Sequence, residues 1–147
     1  MSEPVWIAKA VVLAIHDEQI AEHGGLPGLR DIGLLDSALA RPQNLFHYES
    51  LDLVEIGAAY GYAIARNHPF NDGNKRVSAV VTELFLQLNG IELIASDGDV
   101  VATWLALASG QIDEGQFVSW LRAHNLTSER RSSQSRERAF PSASARA

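Results

Sequence analysis

The sequence predicts a single all-α domain of about six helices followed by a polar tail. Apolar residues recur at helical spacing through residues 1–126, and proline and glycine clusters cut that stretch into helix-length pieces. A chain of 147 residues, 46% of them hydrophobic, is also long enough to bury one core without disulfide or metal staples.

Helix 1 is expected from Pro4 to about His23, with Ile7, Val11, Ala14 and Ile15 on one face and Gly24-Gly25 ending it. His16 and His23 fall on its polar side and read as surface residues. Leu26 to Asp31 is a turn-rich loop built on Pro27 and Gly28. Helix 2 spans about Gly33 to Ala40 and stops before Pro42, because the residue preceding a proline is pushed out of the α region. Residues 43–50 are then a loop or small β-hairpin.

Helix 3, about Leu51 to Asn67, carries Leu53, Ile56, Tyr60 and Ile64 on one face. Its small residues, Gly57, Ala58, Ala59, Gly61, Ala63 and Ala65, let a neighbouring backbone approach, which marks a central buried helix. Helix 4, about Asn74 to Leu88, has the clearest stripe: Val77, Val80, Val81, Leu84, Phe85 and Leu88. Asn89-Gly90 ends it and Ile91 to Ala95 reads as a short extended segment. Ser96 to Asp99 supplies caps for helix 5, with Val101, Trp104, Leu105 and Ala108 inward. Asp113 and Gln116 resemble a capping box opening helix 6, where Phe117, Trp120 and Leu121 repeat at core spacing. These aromatics read as packing rather than a base-stacking platform.

From Thr127 the chain holds six serines, five arginines and one large apolar residue, Phe140, so residues 127–147 are expected to be a disordered tail. The tail carries a net +3, which leaves seven Lys+Arg against sixteen Asp+Glu, a net −9, in residues 1–126. So acidic a domain argues against a general nucleic-acid or membrane-surface binder. The absence of cysteine removes disulfides, thiolate metal sites and a cysteine nucleophile. The apolar run from Val5 to Ile15 follows Glu3, is interrupted by Lys9 and lacks a cleavage site, so it is neither signal peptide nor membrane span. The expected location is the cytoplasm.

Chemistry concentrates in His68-Pro69-Phe70-Asn71-Asp72-Gly73-Asn74-Lys75-Arg76, between the two strongest helices. Pro69 breaks helix 3, and Gly73 permits a sharp turn into helix 4. The first turn of helix 4 offers unpaired N–H groups and the positive end of the helix dipole, to which Asn74, Lys75 and Arg76 add a donor and two charges. Such a cluster suits a polyanion. Asp72 can hold a divalent cation, since Mg2+ takes one or two carboxylates plus substrate phosphate oxygens. His68 titrates near neutrality and is the candidate general base, while Phe70 anchors the loop. Each part has a plainer reading: a histidine at a helix end is usually a cap or a core residue, and Asn-Asp-Gly is a turn signal. Their conjunction within nine residues points to transfer of a phosphorus-containing group to a hydroxyl.

HPFNDGNKR resembles the Fic motif, His-Pro-Phe-x-Asp/Glu-Gly-Asn-Gly/Lys-Arg, and the Lys form in a short chain resembles the death-on-curing (Doc) branch. His16-Asp17, Gly24 to Asp31, Gly33-Leu34-Leu35 and Ala38 to Gln43 are similar to the Doc N-terminal region. The resemblance implies a helical Fido fold over about residues 5–124 and Mg-ATP chemistry on protein hydroxyls. It assigns His68 as the base, Asp72 to Mg2+, Asn74 and Arg76 to phosphates, and Gly73 to the anion cradle. Lys75 stands where AMP-transferring members have glycine, which favours the inverted nucleotide and γ-phosphoryl transfer. Doc toxins of this kind phosphorylate a threonine of elongation factor Tu and block translation. Pro69 and Gly73 follow the general Fic form more closely, so AMP transfer is the alternative. A catalytically weak antitoxin-binding protein is a third reading, which the intact motif disfavours.

Self-inhibited Fic enzymes carry Ser/Thr-x-x-x-Glu-Gly/Asn. The nearest match here, Gly110-x-x-x-Glu114-Gly115, lacks the hydroxyl, which implies restraint in trans by a small antitoxin. Family members present the target on a flap. Leu45 to Ser50, with Phe46, His47 and Tyr48, is the candidate, against a plainer reading as loop packing.

Overall fold

The structure, a computed structural model, describes residues 2–127. Six helices make up an all-α Fido-like fold: α1 (Lys9–His23), α2 (Ile32–Glu49), α3 (Leu53–Asn67), α4 (Asn74–Leu88), α5 (Asp97–Ser109) and α6 (Glu114–Ala123). Strands β1 (Ile91–Leu93) and β2 (Asn125–Thr127) pair antiparallel, with Ile91 opposite Thr127. The expected extended segment after helix 4 thus exists, and Thr127, assigned to the tail, belongs to the domain. The remaining tail residues, with Phe140, lie outside the described residues.

Helix α3 is central, packed by α2, α4, α5 and α6. Its glycines act as expected: a Cβ at Gly57 would come within 2.8 Å of Leu86 Cδ2, and one at Gly61 would collide with Thr82 Oγ1. At that close approach Ser78 Oγ donates to the Gly61 carbonyl (2.6 Å) and accepts from Trp104 Nε1 (2.7 Å). The buried contact locks α3, α4 and α5 in one relative orientation, which fixes where α4 begins. Tyr60, Phe85, Phe117, Leu35 and Ile56 fill the core around it. Trp104 meets Phe117 and Trp120 edge-on at 5.1 and 5.8 Å, so these aromatics are packing residues.

Several features differ from expectation, among them Val11, Val101 and Leu105, which were expected on buried faces and are exposed. Helix α1 begins at Lys9 rather than Pro4, because the preceding residues are tied down in extended form. Val5 and Asn89 exchange two hydrogen bonds (2.8 and 3.1 Å), and the Ile7 N–H donates to Tyr60 Oη (3.1 Å). Helix α2 continues through Pro42 to Glu49, with Ser50 as its left-handed C-cap, so residues 43–49 are helical rather than loop or hairpin. An interior proline costs about 3 kcal/mol. Burial of Pro42, and of Phe46 against Trp6 at 5.7 Å, opposes that cost, and a local preference yields to packing. His16 is not a surface residue: it is 2% exposed, on the line of α1 that also buries Val12.

Candidate functional site at the α3–α4 junction

The residues between α3 and α4 form a tight loop held from within and from the N-terminal side. Asn74, buried, closes it internally: its Oδ1 accepts from the Phe70 N–H and its Nδ2 donates to the Phe70 carbonyl, both at 2.9 Å. That side chain is therefore committed to loop geometry, and the polar group Asn74 presents outward is its backbone N–H. Gly73 caps α4 in the left-handed region (φ 80°). The Asn74, Lys75 and Arg76 N–H groups have no protein acceptor among the described residues, as expected of a helix's first turn.

Residues 24–31 form the opposite wall. The Leu26 N–H donates to Asp72 Oδ2 (2.7 Å), Asn71 Nδ2 donates to the Pro27 carbonyl (3.0 Å), and the Asn71 N–H donates to the Gly28 carbonyl (3.0 Å). The Arg30 and Asp31 N–H groups share the Pro69 carbonyl at 2.8 and 3.1 Å. Arg76 Nη2 reaches back to the Gly24 carbonyl (3.2 Å). Between the walls lies a cleft of about 380 Å3 lined by Asp72, Gly73, Asn74, Lys75 and Arg76, with His23, Gly24 and Gly25.

His68 sits at the α3 C-cap in the left-handed conformation (φ 52°, ψ 58°), costly for a non-glycine residue, here one that precedes proline. Arg30 stabilises the turn from outside: Nε donates to the His68 carbonyl and Nη2 to the Asn67 carbonyl, both at 2.7 Å. His68 is an exposed residue and is not among those that line the cleft. Partial burial, then the charges of Lys75, Arg30 and Arg66, push its pKa below the usual histidine value and favour the neutral ring. Asp72 spends one carboxylate oxygen on Leu26, while Oδ1 accepts no hydrogen bond from the described residues. A single carboxylate suits Mg2+ where phosphate oxygens complete the shell, and the described residues hold no cluster of three His, Asp or Glu that would bind a metal unaided. Phe70 is buried, as an anchor should be.

The structure thus brings Asp72, Gly73, Asn74, Lys75 and Arg76 into one cleft; His68 is outside its lining but within electrostatic reach of Lys75. It does not bring Phe46, His47 and Tyr48 there. They lie in the last turns of α2, and Trp6 packs both Phe46 and Phe85, the latter about 16 Å along α4 from the motif. In helical form they offer no open strand edge. Sequence reasoning missed Arg30 and His16; the signal for both was only their place in the N-terminal resemblance. A second groove, about 420 Å3, runs between α1, α4 and α5 past Val80, Leu93, Val100 and Val101 and shares His23 and Arg76 with the cleft.

Fold and site together define an all-helical domain with a cleft at the start of α4 that gathers Asp72, Lys75 and Arg76. The chain belongs to the Fic/DOC family, whose model matches residues 6–86. It is 36% identical over 117 residues to a protein described as "Protein kinase doc" from Escherichia phage P1, covering 79% of this chain and 92% of that one. It is 43% identical over 79 residues to "Toxin Doc" from Mycolicibacterium smegmatis, covering 52% of this chain and 60% of the relative.

Proposed function

We propose that the chain is a Doc-like toxin that transfers the γ-phosphoryl group of ATP to a hydroxyl of a target protein. The observation that carries this reading is Lys75: it lies in the first turn of α4, within electrostatic reach of His68, where an AMP-transferring site has glycine. A side chain there crowds the α-phosphate position and favours the γ-phosphate facing the base. The relatives named as kinase and toxin support the same reading.

In this mechanism neutral His68 accepts the proton of the target hydroxyl as its oxygen bonds to phosphorus. The bond from phosphorus to the ADP oxygen breaks, and ADP leaves. The Asn74, Lys75 and Arg76 N–H groups, with the Lys75 and Arg76 side chains, stabilise the charge on the phosphate oxygens. Asp72 would hold Mg2+, which would supply charge neutralisation at the phosphates. The target in this reading is a threonine of elongation factor Tu, with translation blocked in the cytoplasm. Among the described residues no helix is long and apolar enough to cross a membrane.

Restraint by a small antitoxin is part of the reading. Glu114, nearest in sequence to a self-inhibitory glutamate, is bound bidentately to Arg41 at 2.7 Å and so is already engaged. A segment lying in the groove between α1, α4 and α5 would touch Arg76 at the cradle's edge. AMP transfer is the second reading, favoured by Gly73 and Pro69. Incubation with cell lysate and ATP labelled at the γ- or α-phosphate separates the two, with His68→Ala as control. γ-Label on one translation factor is expected; α-label overturns phosphoryl transfer, and no label overturns both.

A further inference from the structure

His16 lies beneath the loop between α3 and α4. Its ring stacks on Phe70 (centroids 3.9 Å apart, planes within 8°). At its far end Nε2–H donates to the Asp72 carbonyl oxygen at 2.9 Å, the carbonyl fixing that nitrogen as the protonated one. A Cβ built on Gly73 would come within 3.9 Å of His16 Cδ2, so the ring also underlies the turn that starts α4. One rigid side chain therefore touches Phe70 and Asp72 and lies close to Gly73, and the stack and the donor lie at different points on the ring.

We propose that His16 is a positioning residue of the transfer site: by stacking on Phe70 and bonding to the Asp72 carbonyl, it sets the backbone that aims the Asp72 carboxylate and the α4 N–H groups at the nucleotide. It touches no reacting atom. The inference rests on the reading of this loop as a phosphoryl- or nucleotidyl-transfer site. The choice of residue follows from the geometry. Phenylalanine supplies the stack without the donor, and glutamine supplies a donor at the same reach without the ring. Of these three, histidine alone supplies both. An anchor on the second helical turn before the 24–31 wall also couples that wall to the loop, since Asp72 is gripped by His16 through its backbone and by Leu26 through its side chain.

The test uses the full chain with His16→Phe and His16→Gln and three measurements: thermal midpoint, label transfer from ATP, and amide exchange of Phe70 and Asn71 without nucleotide. Both amides are hydrogen-bonded, to Asn74 Oδ1 and the Gly28 carbonyl, and so report the loop directly. His16→Phe is expected to keep its thermal midpoint near wild type, lose protection at both amides, and lower kcat about 10- to 100-fold, the scale of a small misplacement. His16→Gln is expected to keep most of the turnover despite a lower midpoint, because the donor remains. Wild-type turnover in His16→Phe overturns the proposal, as does a loss that follows the thermal midpoint in both variants. A wild-type protein that transfers no label overturns the functional reading; exchange then judges the anchor alone, and unchanged protection in His16→Phe overturns it.

Discussion

Arg30 and His68 are coupled twice. The Arg30 guanidinium grips the His68 carbonyl oxygen, and its charge opposes protonation of the His68 ring. A residue 38 positions away thus holds the backbone of the candidate base and adds to the burial and the Lys75 charge that favour its neutral ring.

Arg30→Ala should separate these roles. Losing the fork releases two carbonyls at a left-handed turn, with a stability loss of about 1–2 kcal/mol for bonds at an exposed site. Arg30→Lys keeps the charge without the planar fork and should recover the pH profile but not the stability. Urea unfolding, read beside the pH dependence of label transfer, checks both parts.

Asp72→Asn preserves an acceptor for the Leu26 N–H and should fold normally. Removing the negative charge should abolish the Mg2+ dependence of ATP binding. Calorimetric titration of ATP with and without Mg2+ measures it; equal enhancement by Mg2+ in variant and wild type would remove Asp72 from the metal site.

The rate should fall on the acid side at a pH below 6.5, the ordinary histidine value, because burial and three cations favour neutral His68. Arg66→Gln removes one of those charges, eases protonation and moves the acid limb upward. Stability carries the same sign. The unfolded chain takes up this proton more readily, so the group's contribution is fully present above 6.5 and declines as pH drops through the window just below it.

Gly61→Ala should destabilise by about 1–3 kcal/mol, since the added methyl meets Thr82 Oγ1 where α3 and α4 touch. Gly61→Ala with Thr82→Ala should cost less than the sum of the single changes, because the second opens room for the first. Denaturation midpoints of the four proteins in the cycle decide it.

Helix α4 was readable because its stripe is long, apolar and bounded by Gly73 and Asn89-Gly90. The motif was readable because its chemistry is contiguous. What escaped was everything that depends on a distant partner. Pro42 looked like a stop because the rule for prolines is local, whereas the burial that holds it in α2 is tertiary. His16 looked exposed because α1 has little segregation of apolar from polar faces, and its buried line includes a residue that pays for burial with a hydrogen bond. Strand β2 was hidden because its polar neighbours masked three residues whose only structural cue is β1. Asn74 was expected to present its side chain to phosphate, but that side chain is bonded within the loop, a use no spacing reveals.

The hydrogen bonds from side chains that tie residues 24–31 to residues 67–76 join positions 37 to 52 apart in the chain. A cleft whose walls lie this far apart in the chain exists only once both are synthesised and docked, so the nine-residue motif does not form it alone.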